Sequence, residues 1–86
     1  MVKYRSRMDI VTTVLESARS GITRAKIMYS AYLSYAQTVE YVEFLQENGL
    51  LKRDEGSKLY RTTAKGLKFL NASSKVNRMM GVPSSQ

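Results

Sequence analysis

Apolar residues along the first half of the chain recur at helical spacing. Ile10, Val11, Val14, Leu15 and Ala18 fall on one helical face. Ser6 and Asp9 precede them at the separation of a capping box, which predicts a helix start there. Gly21 ends the pattern, where a left-handed cap is expected. Thr23 is the next capping residue and predicts a short helix over residues 24–30, with Ile27, Met28 and Ala31 on its buried side. After a tight connection through Tyr32 and Leu33, Ser34 caps a longer helix. Tyr35, Thr38, Val39, Val42 and Leu45 form its apolar stripe, and Asn48-Gly49 stops it.

Beyond Gly49 the hydrophobic period shortens from that of a helix toward that of a strand. Residues 50–53 and 58–61 flank Asp54-Glu55-Gly56-Ser57, a turn-forming tetrapeptide that suits a two-stranded hairpin. Thr62 or Thr63 then caps a last helix, in which Leu67, Phe69, Leu70, Ala72 and Val76 are available for burial. The reading divides the chain into a basic amino-terminal arm (1–7), one folded domain (8–78) and a flexible carboxyl-terminal tail (79–86). No internal repeat or linker interrupts it.

Composition narrows what such a domain can do. At 86 residues the chain holds one small core, and its 43% hydrophobic and 24% charged residues match a folded globular protein. Having neither Cys nor His, it has no disulfide, no thiolate metal site and no imidazole base, so no enzyme activity, metal or organic cofactor is expected. Glu40, Glu43 and Glu47 share one helical face at a spacing that could hold a divalent ion, but no histidine or second carboxylate cluster supports them, and they read as a solvated face. No apolar run approaches a membrane span, and the basic amino end leads into Asp9 rather than a signal core, so a cytoplasmic location is expected. Fourteen Lys and Arg face seven Asp and Glu, a net charge of +7. For so small a chain, that imbalance points to a polyanionic partner, with nucleic acid first.

Three helices, a hairpin and a fourth helix, with a short turn between the second and third, is the order of a winged helix-turn-helix: mainly α with a two-stranded β-hairpin. Ala25-Lys26-Ile27-Met28-Tyr29, Leu33-Ser34-Tyr35, Glu47-Asn48-Gly49-Leu50-Leu51 and Tyr60-Arg61-Thr62-Thr63-Ala64-Lys65-Gly66-Leu67-Lys68-Phe69-Leu70 occur in that order. In these segments the chain resembles the small archaeal winged-helix proteins, a family that includes predicted transcriptional regulators and the ten-kilodalton archaeal chromatin protein. The resemblance implies a DNA-binding protein, nucleoid-associated, whose third helix enters the major groove while its hairpin wing touches the backbone alongside. Family members often carry lysines on the outward side of the third helix. Here that side shows Ala36, Gln37, Glu40, Glu43, Phe44 and Glu47, with no Lys or Arg from Tyr35 to Leu51.

Sorted by element, nine basic residues are expected at DNA phosphates: Lys3, Arg5 and Arg7 in the arm, Arg24 and Lys26 at the second helix, and Lys52, Arg53, Lys58 and Arg61 in the hairpin. Arg53 and Arg61 have a second reading as partners of Asp54 and Glu55. Base reading falls to Tyr35, Ala36, Gln37, Glu40 and Tyr41, with Gln37 suited to adenine and Glu40 to a cytosine amino group. Tyr35 and Tyr60 sit on the inward stripes of their elements and read as core residues before contacts. Phe69, Val76, Met79 and Met80 exceed what so small a core should bury, which predicts a homodimer through the fourth helix, with the first as a further candidate contact. Two alternatives to a double-stranded DNA regulator stay open: a non-specific chromatin coat, and a protein-interaction module using Tyr41 and Phe44 within an acidic rim.

Overall fold

The computed structural model describes the backbone of residues 6–79 and the side chains of residues 6–73. Lys3, Arg5 and Met80 lie outside the described residues, as do the side chains of Val76 and Met79. The element order is α1 (Arg7–Ser17), α2 (Arg24–Ser30), α3 (Tyr35–Glu47), β1 (Leu51–Arg53), β2 (Tyr60–Thr62) and α4 (Ala64–Met79).

Each helix starts where a hydroxyl satisfies a free backbone amide. Ser6 Oγ accepts from Asp9 N at 3.1 Å, and Asp9 returns a carboxylate to Ser6 N at 3.2 Å, which completes the capping box. Thr23 Oγ1 accepts from Lys26 N at 3.2 Å. Ser34 and Gln37 form a second reciprocal box, at 3.1 Å and 3.0 Å. For α4 the cap is Thr63, whose Oγ1 accepts from Gly66 N at 3.0 Å. Thr62 instead closes β2, and its buried hydroxyl donates to Leu15 O at 2.6 Å.

The helix ends depart from the sequence reading in instructive ways. α1 stops at Ser17 with Ala18 as its cap, well before Gly21, which takes φ +96° in the following turn. α3 ends in a Schellman motif: Leu50 N donates to Leu45 O at 2.9 Å and Gly49 N to Gln46 O at 3.0 Å, with Gly49 left-handed at φ +73°. α2 ends in the same motif, through Leu33 N to Met28 O at 3.0 Å and Tyr32 N to Tyr29 O at 3.3 Å. There the left-handed position is Tyr32, at φ +54°. A side chain in that conformation costs roughly 1–2 kcal/mol relative to the right-handed region.

The hairpin pairs Leu51 with Thr62, Lys52 with Arg61 and Arg53 with Tyr60, antiparallel. The second strand starts two residues later than expected because Lys58 is left-handed at φ +61°, so the loop spans residues 54–59 and is closed by Asp54 N to Leu59 O at 2.8 Å. On the other edge of β2, Ile22 forms a single antiparallel bridge with Tyr60. The core is shared by α1, α2, α3, the hairpin and Leu70 of α4, with Phe69 packed at its border.

α4 approaches the hairpin through Gly66. A Cβ there would run into the Leu50 carbonyl oxygen and Thr62 Cγ2. Backbone cannot yield as a flexible side chain does, so Gly66→Ala should destabilise the fold by about 2–3 kcal/mol. Denaturant titration checks this, and an unchanged midpoint would mean that α4 is free to move off the hairpin.

Candidate nucleic-acid interface

α3 is fixed by Thr38, Tyr41, Val42 and Leu45, which are all buried. Their spacing of three, four and seven leaves Ala36, Gln37, Glu40, Glu43, Phe44 and Glu47 exposed on the remaining surface. Two aromatic assignments change places. Tyr35, expected in the core, is 65% exposed at the first turn of the helix, ahead of the buried stretch that starts at Thr38. Tyr41, expected at base edges and in an aromatic contact spot, is only 8% exposed, and the Arg7 guanidinium lies 5.5 Å from its ring centroid. Its ring is a core element and its face is already occupied. Of the pair Tyr41 and Phe44, only Phe44 remains at the surface. Tyr60 is buried, as expected.

Gln37 combines an exposed position with its place in the capping box: its Oε1 is engaged by Ser34 N, and its amide nitrogen is the end left for an acceptor. Glu40, Glu43 and Glu47 have no ion-pair partner among the described residues, and no three Asp or Glu of those residues converge as metal ligands.

The cations flank this helix. Arg24 connects three elements: Nη1 donates to Tyr35 OH at 3.3 Å and Nη2 to Tyr60 OH at a long 3.5 Å. The Tyr60 hydroxyl first, and Tyr35 after it, favour the charged form and raise the Arg24 pKa above its ordinary value. Lys26 is exposed on α2. In the hairpin, Lys52, Arg53 and Lys58 are exposed. Arg61 is engaged inward, donating to Ser20 O at 2.9 Å and to Asp54 Oδ2 at 2.9 Å. This bridge also draws its charge away from Lys52, which lies directly across the strand pair.

Features without a sequence expectation complete the surface. Tyr29 and Tyr32 are 72% and 85% exposed beside Tyr35 in the chain. Their signal was a three-residue interval crossing the turn between the two helices. An apolar groove of about 350 Å³ runs between α1, α3 and α4, with Met8, Phe44 and Phe69 among its lining and Arg7 and Lys65 at its margins. Lys65 Nζ also donates to Asn48 O at 2.8 Å, neutralising a carbonyl at the end of α3. No helix among the described residues is long and apolar enough to cross a membrane.

A helix-turn-helix followed by a hairpin and a closing helix, with cations on the second helix and on the hairpin, defines a class. The chain belongs to the winged helix-turn-helix family, whose model matches residues 4–81. Among solved structures it is similar to Sso10a-2, a DNA-binding protein from Sulfolobus solfataricus, at 22% identity and a TM-score of 0.75, over 90% of this chain and 83% of that one. It is also similar to the PcaV transcriptional regulator from Streptomyces coelicolor, in complex with its natural ligand, at 22% identity and a TM-score of 0.65, over 87% of this chain and 57% of that one. No curated protein matches.

The inward engagement of Arg61 separates it from the other hairpin cations. Arg61→Ala should lower stability by about 1–2 kcal/mol, because it leaves Asp54 and the Ser20 carbonyl without their donor. Lys58→Ala should stay within about 0.5 kcal/mol of the parent. Equal effects in thermal unfolding would show that the Arg61 bridge contributes nothing.

Proposed function

We propose that this protein binds double-stranded DNA, with the first turns of α3 in the major groove and the hairpin along the backbone, and that it acts as a transcriptional regulator. The observation that carries this reading is the division of charge around α3. Arg24 and Lys26 belong to α2 and Lys52, Arg53 and Lys58 to the hairpin, the two elements that pack against α3, while the helix itself offers hydrogen-bonding groups and carboxylates. Phosphates line the rims of the groove and base edges its floor, so cations belong at the flanks and polar side chains in the centre. The DNA-binding and regulatory roles in the names of the two similar structures agree with this assignment.

In this reading Lys3 and Arg5 meet the backbone ahead of α1, whereas Arg7, expected with them, is the first residue of α1 and is held over the Tyr41 ring. Arg61 contributes field rather than a direct contact, and Ala36, Gln37 and Glu40 face the bases with Tyr35 at the groove edge. The protein works in the cytoplasm at the nucleoid, without cofactor or chemistry of its own. It pairs as a homodimer through α4 and α1, where Met8 and Phe69 leave an open apolar groove that a second copy would cover. A second reading, favoured by the same groove and by Phe44 at 46% exposure, has a protein partner seated there beside the acidic surface of α3.

Fluorescence anisotropy with duplex DNA at rising salt tests the proposal. Binding should weaken steeply, and Lys52→Ala with Lys58→Ala should flatten the slope of log K against log salt by about 2. An unchanged slope removes the hairpin from the interface, and the absence of binding at low salt favours the protein partner. Glu40→Gln should raise affinity for random duplexes and reduce discrimination at one base pair, where a lost bidentate contact is worth about 1–3 kcal/mol. If every sequence binds Glu40→Gln as it binds the parent, α3 is not reading bases.

A further inference from the structure

Three tyrosines are displayed within seven residues at the turn between α2 and α3. Tyr29 ends α2 at 72% exposure, Tyr32 occupies the turn at 85%, and Tyr35 begins α3 at 65%. The hydrogen bond from Tyr32 N to Tyr29 O holds the first two together, and Arg24 fixes the third by its hydroxyl. Tyr32 takes a positive φ of 54°, the region that glycine adopts most readily. It stands at the left-handed position of a Schellman motif, which Gly49 fills in the matching motif of α3, and its exposed ring gains little from burial. Beside these rings, Arg24, Ala25, Met28, Tyr35 and Thr38 line a hollow of about 280 Å³ with the Arg24 guanidinium at its wall.

The electrostatics of the segment fit one kind of occupant. From Ser17 to Val39 there is no carboxylate, while Arg19, Arg24 and Lys26 lie within it. Arg19 is paired with Glu16 at 3.0 Å, which leaves Arg24 and Lys26 for an anion. Exposed aromatic faces at short intervals, with cations alongside and no acid among them, match the requirements of unpaired bases on a phosphate backbone. In duplex DNA the base faces are stacked on one another and out of reach of these rings.

We propose that the turn between α2 and α3 is a binding site for single-stranded DNA: Tyr29 and Tyr32 stack on successive unpaired bases, a further base enters the hollow against Tyr35, and Arg24 and Lys26 meet the intervening phosphates. The activity is additional to duplex binding and rests on the reading of the protein as a DNA-binding one only for the nature of the polymer.

The full chain is titrated with an oligo-dT strand and, separately, with a duplex. The protein has no Trp, so tyrosine emission reports stacking directly. Binding of oligo-dT with quenched tyrosine emission is expected. Tyr29→Leu combined with Tyr32→Gly should weaken that binding by about tenfold or more and leave duplex binding within about twofold. Thermal unfolding of the same double variant, read beside its duplex binding, separates the loss from unfolding. Tyr29→Phe with Tyr32→Phe should retain binding, since the ring rather than the hydroxyl is the contact. Duplex binding without oligo-dT binding overturns the proposal and leaves the DNA reading standing. Oligo-dT binding that is unaffected by Tyr29→Leu with Tyr32→Gly overturns it as well. Binding to neither polymer removes both.

Discussion

The carbonyls near the carboxyl-terminal ends of α1 and α3 have no partners within their own helices, and two consecutive threonines supply them. Thr62 donates its hydroxyl to Leu15 O at 2.6 Å and its amide to Ala18 O at 3.0 Å; Thr63 donates its hydroxyl to Gly49 O at 2.6 Å and its amide to Leu50 O at 3.0 Å. The Thr62 bond to Leu15 O is buried, where an unpaired carbonyl would cost about 1–3 kcal/mol, and together the four bonds join the hairpin to the helices. Because the same Thr63 hydroxyl also accepts from Gly66 N, the start of α4 is set by the end of α3. The placement of the hairpin beside α3 therefore depends on this junction at the end of β2.

The helix starts were readable in the sequence because a cap is a local contract between residues three apart. Ser6 with Asp9, Thr23 with Lys26 and Ser34 with Gln37 needed nothing from the rest of the chain. The exchange of Tyr35 and Tyr41 has a different origin. Residues 35, 38, 39, 42 and 45 and residues 38, 41, 42 and 45 are both helical stripes, and which one faces inward depends on where α1 crosses α3. At residue 35 the helix has only begun, so a ring on the right stripe projects past the core. Arg7 over Tyr41 belongs to the same crossing, and the two residues are too far apart in sequence for any periodicity to link them. Lys58 and Tyr32 were hidden for another reason: both are left-handed without being glycine, and the usual marker of that conformation was absent. The open alternative for Arg61 was settled in favour of Asp54, while Arg53 remains exposed with no ion-pair partner among the described residues.

Net charge gives a poor description of what this surface offers. The whole chain carries +7, yet α3 contains three glutamates and no cation. At physiological salt the screening length is about 8 Å. Charges on α3 and charges on the hairpin are then partly independent, and a phosphate at the groove rim responds to the nearest cation rather than to the sum. An acidic centre between basic flanks selects orientation. In the proposed complex, phosphate would be disfavoured against α3 and favoured along α2 and the hairpin, as the rims of a duplex groove provide.

The turn between α2 and α3 ties these electrostatics to backbone geometry. Its Schellman motif sets the angle at which α3 leaves α2, and the left-handed residue at its apex must direct its side chain away from both helices. Placing tyrosine there keeps the angle, since the two closing hydrogen bonds are the same as those at Gly49, but it projects an aromatic ring from the turn. Arg24 braces the same corner from the other side by reaching Tyr35 and Tyr60 together. The corner thus stiffens the entry to α3 by backbone hydrogen bonds and by the Arg24 bonds to the Tyr35 and Tyr60 hydroxyls. Tyr29 and Tyr32 remain exposed above these bonds, at 72% and 85%.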